Sequence, residues 1–279
     1  MINVLFSGNS GVFDGVLSCV LSIFKRSAPD QYNFYIMTMD LTRKDAKYTP
    51  ISDEHIDFLQ EVVHSYSKES KVIKIDVTEI YEKEFGYSPN ENAYCSPFTL
   101  LRLFADKCNL PDKLLYLDVD VLFNKDIHLL YDTDIEGVEY AASRDHYGKF
   151  LINPNYINAG VLLFNMKECI KNDLFEKARH LIKTKKLVFA DQSALIRSTT
   201  KKKVLSQRFN DQKFLRKKRT VVRHFTKRLF WLPYPHTDNI KQWHVSKMLK
   251  TFKYFCFEDV IFEYIYLKKL FEEKQKTTN

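Results

Sequence analysis

The chain has 279 residues, 45% of them hydrophobic and 28% charged, a balance that excludes a disordered or collagen-like polymer. Its 43 Lys+Arg against 35 Asp+Glu leave a net charge of +8. No basic leader precedes a long apolar run, and nowhere do roughly 18 uncharged apolar residues run together, so the expectation is a cytoplasmic chain without a membrane span.

In chain order, Asn3-Val4-Leu5-Phe6-Ser7 reads as a strand, and Asp14 caps a helix carrying Val16, Leu17, Val20, Leu21 and Phe24. Phe34 to Thr38 is a second strand. Ser52-Asp53-Glu54 opens a helix with Ile56, Leu59, Val63 and Tyr66 at helical spacing, and Val72 to Val77 is a third strand. Ser96-Pro97 pairs a capping serine with proline at the first helical position, ahead of Leu100, Leu101, Leu103 and Phe104. Leu114-Leu115-Tyr116-Leu117 is a buried strand that runs directly into Asp118-Val119-Asp120. Further strands are expected at Tyr140 to Ser143, Ala159 to Phe164 and Thr220 to Arg223, and a helix at Leu174 to Lys185. From Asp259 to Lys274, Val260, Ile261, Tyr264, Leu267, Leu270 and Phe271 form one stripe, which predicts a terminal helix docked on the main domain. The alternation predicts an α/β fold with a mostly parallel sheet and a ligand site beyond the C-terminal strand ends.

Cys19, Cys95, Cys108, Cys169 and Cys256 are odd in number and never fall in a C-x-x-C pair, so they are expected to be reduced core residues. Between Lys201 and Arg228 twelve basic residues face the single Asp211. That segment predicts a localised positive surface, able to attract phosphate groups, an anionic membrane or nucleic acid. Phe209, Phe214, Phe225 and Phe230 interleave with it, but no RNA-binding signature accompanies them, and nucleic acid is the less favoured partner.

The chemistry concentrates at Asp118 and Asp120. Two acids one residue apart at a strand end project to the same side, and burying both is costly unless a cation neutralises them. Hard carboxylate oxygens suit Mg2+ or Mn2+, and a nitrogen ligand beside them favours Mn2+. Metal-dependent nucleotidyl or phosphoryl transfer also uses paired acids and is a competing reading, as is nucleic-acid binding by residues 201–228.

The strings Leu114 to Asp120 (LLYLDVD), Thr99-Leu100-Leu101-Arg102-Leu103 and Ile157 to Asn165 (INAGVLLFN) resemble glycosyltransferase family 8, as do Asp191-Gln192, Val221 to Phe225 and Lys241-Gln242-Trp243. The resemblance spans roughly residues 1–245. It implies a GT-A fold, a UDP-hexose donor, a Mn2+ bridging the diphosphate, and retention at the anomeric carbon. Bacterial lipopolysaccharide glucosyl- and galactosyltransferases belong to that family, so a glycan or glycolipid acceptor at the inner membrane face is implied. The expected organisation is a catalytic domain over 1–245 and a helical extension over 246–279.

Carried over by position, the resemblance assigns Asp118, Asp120 and His224 to the metal, with His236 as the alternative histidine. Ser7, Asn9, Arg102, Asp118, Val119, Asp145, Asn158, Ala159 and Lys241 would line the donor. Asp191 and Gln192 would stand at the reacting centre, and the weak nucleophilicity of an amide favours front-face substitution there. The chain departs from the family where His-x-x-Gly-x-x-Lys-Pro-Trp is common. Here a longer segment separates His224 from Lys241, Lys227 replaces the glycine, and Gln242 replaces the proline. Asn9 also stands where many members carry a base-reading acid.

Overall fold

The computed structural model describes residues 1–86, 88, 90, 96–187, 189–213, 215–216 and 218–278. Cys95, Phe214 and Lys217, singled out above, lie outside the described residues.

The strands of the main sheet are β1 (Ile2–Ser7), β2 (Tyr32–Thr38), β3 (Lys71–Asp76), β4 (Lys113–Leu117), β6 (Tyr140–Arg144), β7 (Ile157–Asn165) and β8 (Lys202–Leu205). The remaining described strands, β5 (Val121–Phe123) with β9 (Val222–His224) and β10 (Arg228–Phe230) with β11 (His236–Asp238), form two antiparallel pairs. In the order β3-β2-β1-β4-β7-β6-β8 only β7 runs against its neighbours, so the sheet is mostly parallel, as expected.

Alternation along the strands sends side chains to opposite faces, and each face carries its own core. Val4 and Phe6 face one core with the helices Phe13–Arg26 and Asp53–Tyr66, while Leu5 faces the other with the helices Leu174–Thr184 and Ala190–Ser198. The terminal helix Glu258–Thr278 docks on the first side. Val260, Ile261 and Tyr264 enter its core, and Arg26 grips Asp259 through two hydrogen bonds of 2.7 and 2.6 Å.

Three local expectations change. Asp14 makes no cap; a short 3-10 turn at Ser10–Val12 precedes the helix, and Asp14 sits inside its first turn, accepting from Lys268 at 2.6 Å. Pro97–Lys107 is wound as a 3-10 helix, which stacks residues three apart, so the Arg102 Nε reaches the Thr99 carbonyl at 3.0 Å. Residues 201–228 are not uniformly a surface either. Arg223 is fully buried under Phe225, Phe252 and Tyr254, and Phe209 and Phe225 belong to the core. Those rings are therefore withdrawn from any stacking surface for bases.

Cys19 and Cys169 are buried, as expected of core residues, while Cys108 and Cys256 are half-buried. Burial pushes the Cys108 thiol up to about 11, Asp106 adding to it, which suits an inert thiol.

Candidate active site

The apolar strand β4 ends at Leu117, and the turn that follows releases Asp118 and Asp120 at the C-terminal edge of the sheet. The chain then re-enters the core as β5, which pairs with β9 in a register that sets Val121 opposite His224. That pairing brings the imidazole to the acids across more than a hundred residues of sequence. His224 Nε2 lies 3.0 Å from Asp120 Oδ1 and 3.8 Å from Asp118 Oδ2. One ligand atom from each of the three residues falls within 4.8 Å of the others, and among the described residues no other such group of acids, histidines and cysteines occurs. His236 is placed elsewhere, stacked on Phe230 in the β10–β11 hairpin with Nδ1 2.8 Å from the Tyr234 carbonyl.

The donor set of two carboxylates and one imidazole fits a divalent cation, and its packing leaves no slack. Gly160 of β7 faces it, and a Cβ there would lie 2.7 Å from Asp118 Oδ2 and closer still to the His224 ring. The outer contacts orient every ligand. Asn210 Oδ1 meets His224 Nδ1 at 2.9 Å, while its Nδ2 donates to Asn158 Oδ1 at 2.8 Å, so Nδ1 carries the proton and Nε2 turns to the acids. Asn158 Nδ2 in turn donates to Asp145 Oδ2 at 2.9 Å. Asn210 was not singled out in the sequence because it lies in a charge-rich run with no motif. Asn210→Ala is expected to weaken divalent-cation binding by about 10- to 100-fold, the usual cost of losing such an orienting partner. Calorimetric titration with Mn2+ measures it.

Asp120 is almost wholly buried. Burial pushes its carboxyl toward the neutral form, but Lys241 and His224 outweigh that and hold it well below the usual carboxylate range. Lys241 Nζ contacts Asp120 Oδ2 directly and donates to the Phe225 carbonyl at 2.9 Å. The longer segment between His224 and Lys241 is accommodated because β10 and β11 form a hairpin that returns the chain to the same acid. Gln242, in the proline position, is buried and donates to the Val119 carbonyl at 2.7 Å and to Ser18 at 3.2 Å, tying the Asp118–Asp120 turn to the first helix.

Arg102 lies under the acids, only 2% exposed. Its Nη2 donates to Asp118 Oδ1 at 2.8 Å, its Nη1 to the Ala159 carbonyl, and its Nε lies 3.3 Å from Asp191 Oδ2. Burial disfavours its charge, yet Asp118, Tyr116 and Asp191 raise its pKa above the ordinary value. For Asp191 burial wins over Arg102, and its pKa is raised. The Arg102 guanidinium is thus taken up by protein oxygens. A second relay runs from Ser7 Oγ to the Tyr116 hydroxyl at 2.8 Å and on to Asp118 Oδ1 at 2.9 Å. Asn9 Nδ2 donates to the Lys47 carbonyl at 3.1 Å.

Gln192 follows Asp191 in the first turn of the helix Ala190–Ser198, and its Oε1 accepts the Ala159 N–H at 3.0 Å. Beside it a cleft of about 1010 Å3 is lined by Asp145, Asn158, Gln192, Tyr156, Gln212 and Lys227, among others. The structure thus brings the acids, His224, Lys241, Arg102, Asp191 and Gln192 into one connected neighbourhood, with Asp145 and Asn158 at its open end. No helix among the described residues is long and apolar enough to cross a membrane.

Solved structures share this architecture. The galactosyltransferase LgtC, determined with donor and acceptor sugar analogs, superposes with a TM-score of 0.67 at 18% identity, over 94% of this chain and 96% of that one. The Streptococcus pneumoniae glycosyltransferase GlyE gives 0.60 at 17% identity, over 95% of this chain and 63% of that one. At these identities the likeness establishes the GT-A fold. In sequence, a Haemophilus influenzae protein named as a glycosyltransferase is 28% identical over 189 residues, 63% of this chain and 52% of its own length. The Streptococcus pneumoniae glycosyltransferase GlyA is 27% identical over 183 residues, 62% of this chain and 22% of its own length. The match thus spans about half, or less, of the curated relatives. The sequence profile of glycosyl transferase family 8 matches residues 3–245, and the chain belongs to that family.

Proposed function

We propose that the protein transfers a hexose, glucose or galactose, from a UDP-sugar to a glycan or glycolipid acceptor with retention of configuration. The observation that carries this reading is the convergence of Asp118, Asp120 and His224 at the strand ends, one connected hydrogen-bond path away from the Asp145–Asn158 wall of the cleft. Asp118, Asp120 and His224 would hold Mn2+, or Mg2+ in its stead, and the ion supplies charge neutralisation to the departing diphosphate.

The remaining work falls to the chain itself. Lys241, paired with Asp120, would offer its flexible ammonium to the diphosphate. Asp145 and Asn158 accept and donate to sugar hydroxyls. Ser7, Asn9 and the Val119 backbone line the nucleoside side, and Ala159, held between Gln192 and Arg102, shapes the sugar pocket. Arg102 keeps Asp118 and Asp191 aligned. With its amide oxygen engaged by a backbone N–H, Gln192 is better placed to orient the reacting face than to attack it. The bond from the anomeric carbon to the diphosphate breaks and a bond to the acceptor hydroxyl forms on the same face. The acceptor proton passes to the leaving phosphate oxygen.

Calorimetric titration with UDP-glucose and UDP-galactose, with Mn2+ and then with EDTA, tests the proposal. Metal-dependent binding of one or both, and release of UDP rather than pyrophosphate on turnover, is the expected result. Absence of binding by folded protein would overturn it.

A further inference from the structure

Two exposed apolar segments flank the cleft. One is the short helix Gly148–Leu151 and its continuation, where Phe150 is 77% and Leu151 80% exposed, beside Tyr147 and Ile152. The other is the tip of the β10–β11 hairpin, where Trp231 is 70% and Leu232 83% exposed, beside Tyr234. Tyr147, Leu151 and Ile152 line one side of the cleft, and Thr226 and Lys227, which lead straight into the hairpin, line another. Side chains this large are seldom left in water together at the rim of one cavity without a partner.

The same rim is positive. Arg197 and Lys227 line the cleft and are exposed, Lys202 lines it half-buried, and Lys149 lies over the Phe150 ring at 4.9 Å. Burial foremost, then Lys213, Lys149 and Arg228, hold the His146 imidazole below its ordinary pKa, so cations from both segments converge beside the cleft. Aromatic and aliphatic tips ringed by Lys and Arg match the boundary of an anionic bilayer, where tryptophan and tyrosine favour the headgroup level and cations meet phosphate. The aliphatic members, Leu151, Ile152 and Leu232, offer no stacking surface to bases, which disfavours RNA as the occupant.

We propose that the Gly148–Ile152 segment and the β10–β11 hairpin seat the mouth of the cleft on an anionic lipid bilayer, so that the acceptor enters as a saccharide carried on a lipid. The lipid-borne acceptor rests on the transferase reading; the docking does not.

Flotation of the full chain with vesicles tests this, using equal parts phosphatidylglycerol and phosphatidylcholine against phosphatidylcholine alone. The wild type is expected to float with the anionic vesicles only, and less at raised salt. Trp231→Ser/Leu232→Ser and Phe150→Ser are expected to bind at least about tenfold more weakly. Their circular dichroism and their Mn2+-dependent hydrolysis of the sugar donor should be unchanged. Four outcomes would overturn the docking: no flotation, equal flotation with neutral vesicles, tip variants that bind like wild type, or a dimer or RNA complex formed through this face without vesicle binding. Flotation that depends on the tips in a protein with no donor binding would sustain the docking and remove the transferase reading instead.

Discussion

Asp120→Asn is expected to lower turnover on the order of a thousandfold, the upper range for removing one charge-stabilising group at a reacting centre. The carboxylate is the meeting point of His224 and Lys241, and the amide carries no charge with which to hold either a divalent cation or the ammonium. Steady-state rates across a Mn2+ titration, with circular dichroism to confirm the fold, measure the effect, and a wild-type rate would remove Asp120 from the metal assignment. The same substitution has a second readout in the metal-free protein. A carboxyl whose folded pKa is depressed stabilises the fold above its unfolded pKa, and that contribution is lost as the pH falls through the folded value. Below about pH 4 the wild type should lose stability with acidification more steeply than Asp120→Asn, by up to about 1.4 kcal/mol per pH unit. Urea denaturation at a series of acid pH values reports the slope.

Gly160→Ala is expected to be as damaging as the loss of a ligand, although it changes no chemical group in the site. A Cβ at that position is closer than van der Waals contact to both Asp118 and His224, and neither is free to retreat. Asp118 is held by Arg102 and Tyr116, and His224 is held by Asn210. The methyl must therefore spread the acid from the imidazole, and Mn2+ affinity should fall on the order of a hundredfold or more, by analogy with the loss of orienting contacts. Titration of Mn2+ into the folded variant measures this. Unchanged affinity would mean that Asp118 and His224 do not share one ion.

Much of the molecule is legible in its chain. The apolar run from Leu114 to Leu117 followed by two acids locates the strand end, because a carboxylate pair is tolerated beside such a strand only where something neutralises it. The terminal stripe from Val260 to Phe271 likewise announces its docking, since a helix with one apolar face has to bury it. Less legible are the elements whose residues satisfy partners far away. The helix Ala190–Ser198 carries no single apolar stripe, being packed on more than one side. The hairpin interrupts a stretch rich in proline and exposed side chains, and Arg223, read as a surface charge, is enclosed by aromatic rings. Asn210 has no local signal, because its function lies in the His224 and Asn158 side chains it joins.

The sequence by itself determined the α/β alternation, the family and the identity of the paired acids, since periodicity and short motifs are local properties of a chain. Only the tertiary structure decided which histidine meets them. In the sequence His224 is favoured over His236 only because it ends an apolar strand, and its meeting with the acids comes from the β5–β9 register, which sets His224 opposite Val121, one residue beyond Asp120. Strand pairing between segments a hundred residues apart is a non-local outcome of burying both apolar faces at once, so no local pattern encodes it.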